Sequence, residues 1–279
     1  MIVQCGSHQL DLSAPVVMGV LNVTPDSFSD GGKYLDVVSA TEHAHAMIAE
    51  GARIIDVGGE STRPGAASVS VAEELRRVIP VIEAVAKITG VLVSIDTSKA
   101  AVMREAVAAG AGVINDVRAL TEPGALDAAA ATSAAVCLMH MQGQPASMQA
   151  GPQYHDVVVE VIEYLRSRVD ACDQVGIARN RIIIDPGIGF GKTLQHNLAL
   201  LAHVSSFNVL QCPVLIGVSR KSMMRELLNR EVDQRVPGGI ALATAAVLSG
   251  AKIIRTHDVT ATLDAIRVAH ALLEYGYEC

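Results

Sequence analysis

Eight short runs of β-favouring residues recur along the chain at intervals of about 33 residues, with helix-patterned sequence between them. They fall at 16–20, 53–57, 91–95, 113–115, 135–139, 181–184, 214–218 and 252–255. Most are unbroken apolar stretches and not alternating ones, as expected for strands covered on both faces. A β-α unit repeated eight times fits a closed barrel of parallel strands or an open, doubly wound sheet. No Gly-x-Gly-x-x-Gly follows the first run, which weakens the dinucleotide-binding form of the open sheet. The spacing therefore predicts an α/β chain folded as a single (β/α)8 TIM barrel, one domain over residues 1–279. A short N-terminal β-hairpin at 2–12, turning at Gly6-Ser7, is expected to plug the bottom of the barrel.

Helical patterns fill the intervals. Ser70-x-x-Glu73 reads as a capping box that opens a helix carrying Leu75, Val78, Ile79 and Ile82, with a kink expected at Pro80. Ser98 is expected to cap a helix ending at Gly110, and Asp156 to precede one ending at Gly176. Further helices fit 38–50, 197–207, 220–229 and 259–273. The apolar stretch 238–251 is too short to span a bilayer and reads as a buried helix. Half of the residues are apolar, but only 3% are aromatic and Trp is absent, so the core must be aliphatic.

A net charge of -7 without a basic block excludes a general nucleic-acid binder. Five cysteines, an odd number without C-x-x-C spacing, indicate neither a disulfide framework nor a zinc site. The N-terminus lacks the pattern of a signal peptide, so the cytoplasm is the expected compartment and no membrane partner is expected.

Almost every run ends in a polar residue: Asn22, Asp56, Asp96, Asn115 with Asp116, His140, Asp185, Ser219-Arg220-Lys221, and Arg255 with His257. In a barrel these converge on one bowl at the carboxyl ends of the strands, where such enzymes build their active sites. Any one of them is as readily a helix cap or a loop-fixing residue. Eight together supply acceptors and cations around a single cavity. Carboxylates lowered into a narrow barrel need donors, and a flat heterocycle with several N–H groups would supply them. Arg255 and His257 suit phosphate oxygens. Asn22 suits Mg2+ that is otherwise held by substrate phosphates and water. The strand-to-helix passage at Ser219–Ser222 suits an anion. Asp56, Glu60 and Asp116 are expected only to fix loops. His140 has no assigned role.

Several segments are more specific. Gly-Val-Leu-Asn-Val-Thr-Pro-Asp-Ser-Phe-Ser-Asp-Gly-Gly at 19–32, Asp-Val-Gly-Gly-Glu-Ser-Thr-Arg-Pro-Gly at 56–65, Ser-Ile-Asp-Thr at 94–97, Asn115-Asp116, Asp-Pro-Gly-Ile-Gly-Phe-Gly-Lys at 185–192, Gly-Val-Ser-Arg-Lys-Ser at 217–222 and Arg-Thr-His-Asp at 255–258 occur in order along the chain. Together they resemble the dihydropteroate synthases, most closely the bacterial monofunctional form, within the pterin-binding enzyme family. The resemblance implies condensation of 6-hydroxymethyl-7,8-dihydropterin diphosphate with 4-aminobenzoate in folate biosynthesis, by SN1-like displacement of diphosphate. It implies that Asp96, Asn115, Asp185 and Lys221 hold the pterin, with Met139, Phe190 and Gly217 around it. Asn22, Arg255 and His257 would bind diphosphate, with Asn22 a ligand to Mg2+. Phe28, Thr62, Arg63, Pro64, Phe190, Ser219 and Ser222 would form the aminobenzoate pocket, and Asp30 would act from the first loop. Sulfonamides are implied as competitive inhibitors and a homodimer as the assembly. A pterin-dependent methyltransferase domain and a non-catalytic pterin-binding paralogue are the alternatives. The first would not need the Phe28 and Thr62-Arg63-Pro64 loops, and the second sits poorly with intact diphosphate residues.

Overall fold

The computed structural model describes residues 1–23, 33–61, 68–144, 148–149 and 151–276. Its first two strands, β1 (Ile2–Cys5) and β2 (His8–Asp11), form the expected antiparallel hairpin. Eight parallel strands follow: β3 (Val16–Asn22), β4 (Ile54–Gly58), β5 (Leu92–Asp96), β6 (Val113–Asp116), β7 (Ala135–Met139), β8 (Ile182–Asp185), β9 (Leu215–Gly217) and β10 (Ile253–Thr256). Their order around the sheet is β8-β7-β6-β5-β4-β3-β10-β9. The seam between β8 and β9 closes through a single parallel bridge, Ile184 with Val214, where Ile184 N donates to Pro213 O at 3.0 Å. Pro213 has no N–H to return to the ladder, which accounts for the thinness of pairing there. The strands thus make a nearly closed barrel.

Strand residues divide by alternation into two cores. One phase, including Val17, Ile55, Val93, Ile114, Val136, Ile184 and Ile254, packs outward against the helices. The other, including Met18, Ile54, Leu92, Val113, Cys137, Ile183, Leu215 and Ile253, joins Val3, Cys5, Leu10 and Leu12 of the hairpin in a separate cluster. The hairpin is therefore the plug of the barrel, and Gly6 N donates to Ser133 O at 2.9 Å to fasten it. Cys5, Cys137, Cys172 and Cys212 are buried free thiols; burial pushes the Cys5 thiol up to about 12, so it acts as an inert core residue.

The helices are α1 (Lys33–Ala49), α2 (Val71–Val85), α3 (Ala100–Ala108), α4 (Ala125–Ala130), α5 (Val157–Gln174), α6 (Leu194–Ala202), α7 (Met223–Leu228), α8 (Val236–Leu248) and α9 (Val259–Glu274). In α2, Val78, Val81, Ile82 and Val85 form the buried stripe, and the helix continues without a break through Pro80. Its capping box is only half made. Ser70 accepts from Glu73 N at 3.3 Å, but the Glu73 carboxylate is taken by Arg76 and Arg77 at 2.6–2.7 Å, which outcompete a single backbone N–H. Ser98 does not cap α3. Lys99 is the N-cap, while Ser98 Oγ donates to the buried Asp116 carboxylate at 2.5 Å. Asp156, expected to precede α5, is also its cap, accepting from Val158 N and Val159 N. No described helix is long and apolar enough to cross a membrane.

Candidate active site

The inward phase of the strands is apolar below and polar above. Continuing it upward from the plugged end leads to Asn22 on β3, Asp56 on β4, Ser94 and Asp96 on β5, Asn115 on β6, Met139 on β7, Asp185 on β8 and Arg255 on β10. Bonds between strands that are not neighbours show that Asp56, Asp96, Asn115 and Arg255 meet in the lumen. Asn115 Nδ2 on β6 donates to Asp56 Oδ2 on β4 at 3.0 Å, past β5. Arg255 on β10 donates through Nε to Asp56 Oδ2 at 2.7 Å and through Nη2 to Asp96 Oδ2 at 3.0 Å. Asp56 is fully buried, and Asp96 retains 11% of its side-chain exposure on the open side.

This layer is electrostatically dense. Burial works against the charge of Arg255, but the carboxylates of Asp56 and Asp96 outweigh it and hold the guanidinium firmly protonated. Burial pushes Asp96 up to about 7 against the pull of Arg255, and neighbouring Asp56 adds to the push. Burial likewise raises Asp185, opposed by a hydrogen bond from Gly187 N at 2.7 Å and by Lys221. Lys221 is lowered to about 8 by burial, with Asp185 resisting. Its ammonium sits 4.2 Å from the centre of the Phe190 ring, a cation–π contact. Asp56 Oδ1 and Ser94 Oγ, on strand residues paired in register, are buried without a partner among the described residues.

Above the lumen, the exits of β9 and β10 are tied together. Ser219 Oγ lies 3.0 Å from His257 Nδ1 and accepts from His257 N at 3.2 Å. Asp258 takes Arg220 in a two-pronged ion pair, at 2.6 and 3.2 Å. Arg220 has φ of 57°, a left-handed conformation that costs energy for a side-chain residue. The strained residue lies between Ser219 and Lys221, so it sets how those two side chains diverge. Ser222 is the N-cap of α7 and makes no capping bond, and Gly217 is half-buried beside Arg255.

Comparison with known proteins places this geometry in a family. Residues 18–257 match the model of the pterin binding enzymes. The chain is 56% identical over 264 residues to the dihydropteroate synthase of Escherichia coli K12, covering 95% of this chain and 94% of that one. The chain belongs to the dihydropteroate synthase family. Among solved structures, the Yersinia pestis dihydropteroate synthase in complex with a sulfonamide drug superposes with a TM-score of 0.93 at 52% identity, covering 98% of this chain and all of that one. The Xanthomonas albilineans dihydropteroate synthase with 4-aminobenzoic acid gives 0.92 at 50% identity, covering 98% of each chain. Its complex with 7,8-dihydropteroate gives 0.88 at 47%, covering 98% of this chain and 99% of that one. The chain is accordingly an enzyme, a transferase of this family.

In this dihydropteroate synthase fold the expected site residues that are described fall mainly into two groups. Asp96, Asn115, Asp185, Met139 and Arg255 share the lumen, while Ser219, Lys221, Phe190 and His257 lie at its mouth. Arg255, expected at the diphosphate, has its guanidinium on the carboxylates of Asp56 and Asp96. Phe28, Asp30, Thr62, Arg63 and Pro64 lie outside the described residues. Asp56 was expected only to fix a loop, yet it anchors both Arg255 and Asn115. Its phase gave the signal, since it points the same way as the lumen residue Ile54. Ser94 was missed for the same reason; it stands two residues before Asp96 on one face of β5. Asp116, one position beyond Asn115, faces outward and does fix a loop, accepting from Arg118 N and Leu120 N at 2.8 Å.

Proposed function

We propose that this chain joins 6-hydroxymethyl-7,8-dihydropterin diphosphate to 4-aminobenzoate, giving 7,8-dihydropteroate and diphosphate. The observation that carries this reading is the set of acceptors Asp96, Asn115 and Asp185 in the lumen beside the cations Arg255 and Lys221. A pterin edge offers several N–H donors in one plane, and it would satisfy carboxylates that are costly to bury alone. The Xanthomonas relative binds 4-aminobenzoic acid and 7,8-dihydropteroate, which supports the same two ligand classes here. Sulfonamides, one of which the Yersinia relative binds, resemble aminobenzoate and would compete for its place.

In this reading Asp96, Asn115, Asp185 and Lys221 orient the pterin, with Met139 and Gly217 beside it. Phe190, Ser219 and Ser222 border the aminobenzoate, together with Phe28, Thr62, Arg63 and Pro64. The arylamine nitrogen forms a bond to the exocyclic methylene carbon as the carbon–oxygen bond to diphosphate breaks. The proton lost from nitrogen departs with the diphosphate. Because the pterin ring delocalises positive charge, bond breaking runs ahead, and the path is SN1-like; Asp30 would offset the developing charge. The chain's contribution is positioning and charge stabilisation, with His257 and Arg255 on the side of the leaving group.

Asn22 presents an amide oxygen at the end of β3. A Cβ at Gly58 would lie 3.9 Å from Asn22 Oδ1 and 3.8 Å from Asp96 Oδ2, so both oxygens face this glycine. Among the described residues no three His, Cys, Asp or Glu side chains cluster to hold a metal. This donor set fits a Mg2+ shared with substrate phosphates and water. When bound, the ion would neutralise diphosphate and make it a better leaving group.

Steady-state release of diphosphate tests the reading. Release should require 4-aminobenzoate and should stop when Mg2+ is chelated. Release that proceeds equally without 4-aminobenzoate, or no release at all, would overturn it.

A further inference from the structure

The most deeply buried cation among the described residues stands outside the chemistry above. Lys192 closes the loop from β8 to α6 and is only 2% exposed. Its ammonium lies 2.9 Å from His140 Nδ1 and donates to His140 O at 3.3 Å and to Phe190 O at 3.0 Å. With the His140 proton on Nε2, the three N–H bonds have three acceptors. Among the described residues no carboxylate pairs with it, and burial lowers it to about 7. An apolar side chain of similar length would fill the same space without that desolvation cost.

The groups it joins are informative. His140 follows β7, and its ring packs edge-on against Tyr164 at 4.9 Å between centres. Phe190 lies at the tip of the β8–α6 loop and carries Lys221 on its ring. The loop lies directly on the β7 exit. A Cβ at Gly187 would stand 1.9 Å from His140 O, and one at Gly191 would stand 2.4 Å from Gln142 O. Both glycines adopt positive φ, 71° and 60°. The remaining loop groups are also tied down: Asn197 Oδ1 accepts from Gly189 N at 2.7 Å, and Tyr154 Oη donates to Gly191 O at 2.8 Å. Only Lys192 bonds the carbonyl of Phe190 among the described residues, and it does so while holding His140.

We propose that Lys192 is a positioning residue: its buried ammonium pins the Phe190 carbonyl to the β7 exit and so sets the Phe190 ring, and the Lys221 ammonium on it, against the substrates. The inference rests on the proposed function, in which Phe190 and Lys221 touch the two ligands. It assigns the effect to ligand geometry and not to stability. It also requires His140 to carry its proton on Nε2, leaving Nδ1 to accept from Lys192.

The test compares Lys192→Met and Lys192→Arg with wild type in full steady-state kinetics, thermal unfolding and 15N spectra of the His140 ring. Lys192→Met should keep or raise the melting temperature. It should raise the KM for 4-aminobenzoate and lower kcat by about tenfold each, since small misplacements of this kind act strongly on rate. Lys192→Arg should recover part of the loss. In wild type the His140 Nδ1 signal should be that of an unprotonated nitrogen, and the tautomer preference should weaken in Lys192→Met. If Lys192→Met fails to fold, His140→Leu removes the side-chain acceptor and should show the same rise in KM. A folded Lys192→Met with wild-type kcat and KM overturns this inference while leaving the proposed function standing, as does His140→Leu with wild-type KM. Absence of turnover in wild type overturns both.

Discussion

Asp185 illustrates how much a single residue can be asked to do. It is 7% exposed and has, among the described residues, one backbone donor, Gly187 N, with Lys221 nearby. Replacing it by Asn keeps the shape but removes a charge-assisted acceptor, so pterin affinity should fall by about 2–4 kcal/mol. Calorimetry on Asp185→Asn measures this, and unchanged affinity in a folded variant would remove Asp185 from the site. Asp96 gives a pH-dependent counterpart. Burial pushes it up to about 7, so near neutral pH the empty site holds part of a proton there. N–H donors from a pterin favour the ionised form and lower this value again. Binding should therefore release protons near pH 7, and the release should fade well above it, where Asp96 is already ionised. Calorimetry in buffers of different ionisation enthalpy reads this directly; proton uptake on binding would contradict it. Sequence alone found most of these residues because they end strands. It undervalued Asp56, because nothing local distinguishes a carboxylate that fixes a loop from one that reaches across a lumen to Arg255.

At the scale of elements, the strands were legible to within a residue or two, since apolar runs bounded by polar ends leave little choice. Helix caps were less so. Ser98 looked like a cap, but the buried carboxylate of Asp116 is the stronger partner for its hydroxyl. The six-residue helix α4, all but two residues alanine, was missed because it is too short to show a period. The hairpin plug was read correctly from its turn and apolar content, and its role can be isolated. Leu12 is fully buried among the residues of the lower lumen. Leu12→Ala should destabilise the fold by about 2–5 kcal/mol. The substrates' KM values should not move, because the plug lies at the opposite end from the site. Urea unfolding paired with kinetics checks this, and a changed KM without a loss of stability would show that the plug reaches the site.

Across the whole molecule, the eight strand exits bring residues from Asn22 to His257 to one mouth, and no short segment of the chain contains a working site. A metal that depends on substrate phosphates for its ligands should arrive with them, so aminobenzoate should bind tightly only after the pterin diphosphate or diphosphate with Mg2+. Equilibrium dialysis of 4-aminobenzoate alone should show weak binding, and tight binding to the bare chain would contradict the order. The central claim remains that the polar layer of the lumen is a pterin site. A crystal structure of the chain soaked with a pterin tests it most directly. The ring edge should lie within hydrogen-bonding distance of the Asp185 carboxylate and the Asn115 side chain, with Lys221 at its rim. Density for the pterin elsewhere, with Asp185 and Asn115 left untouched, would contradict it.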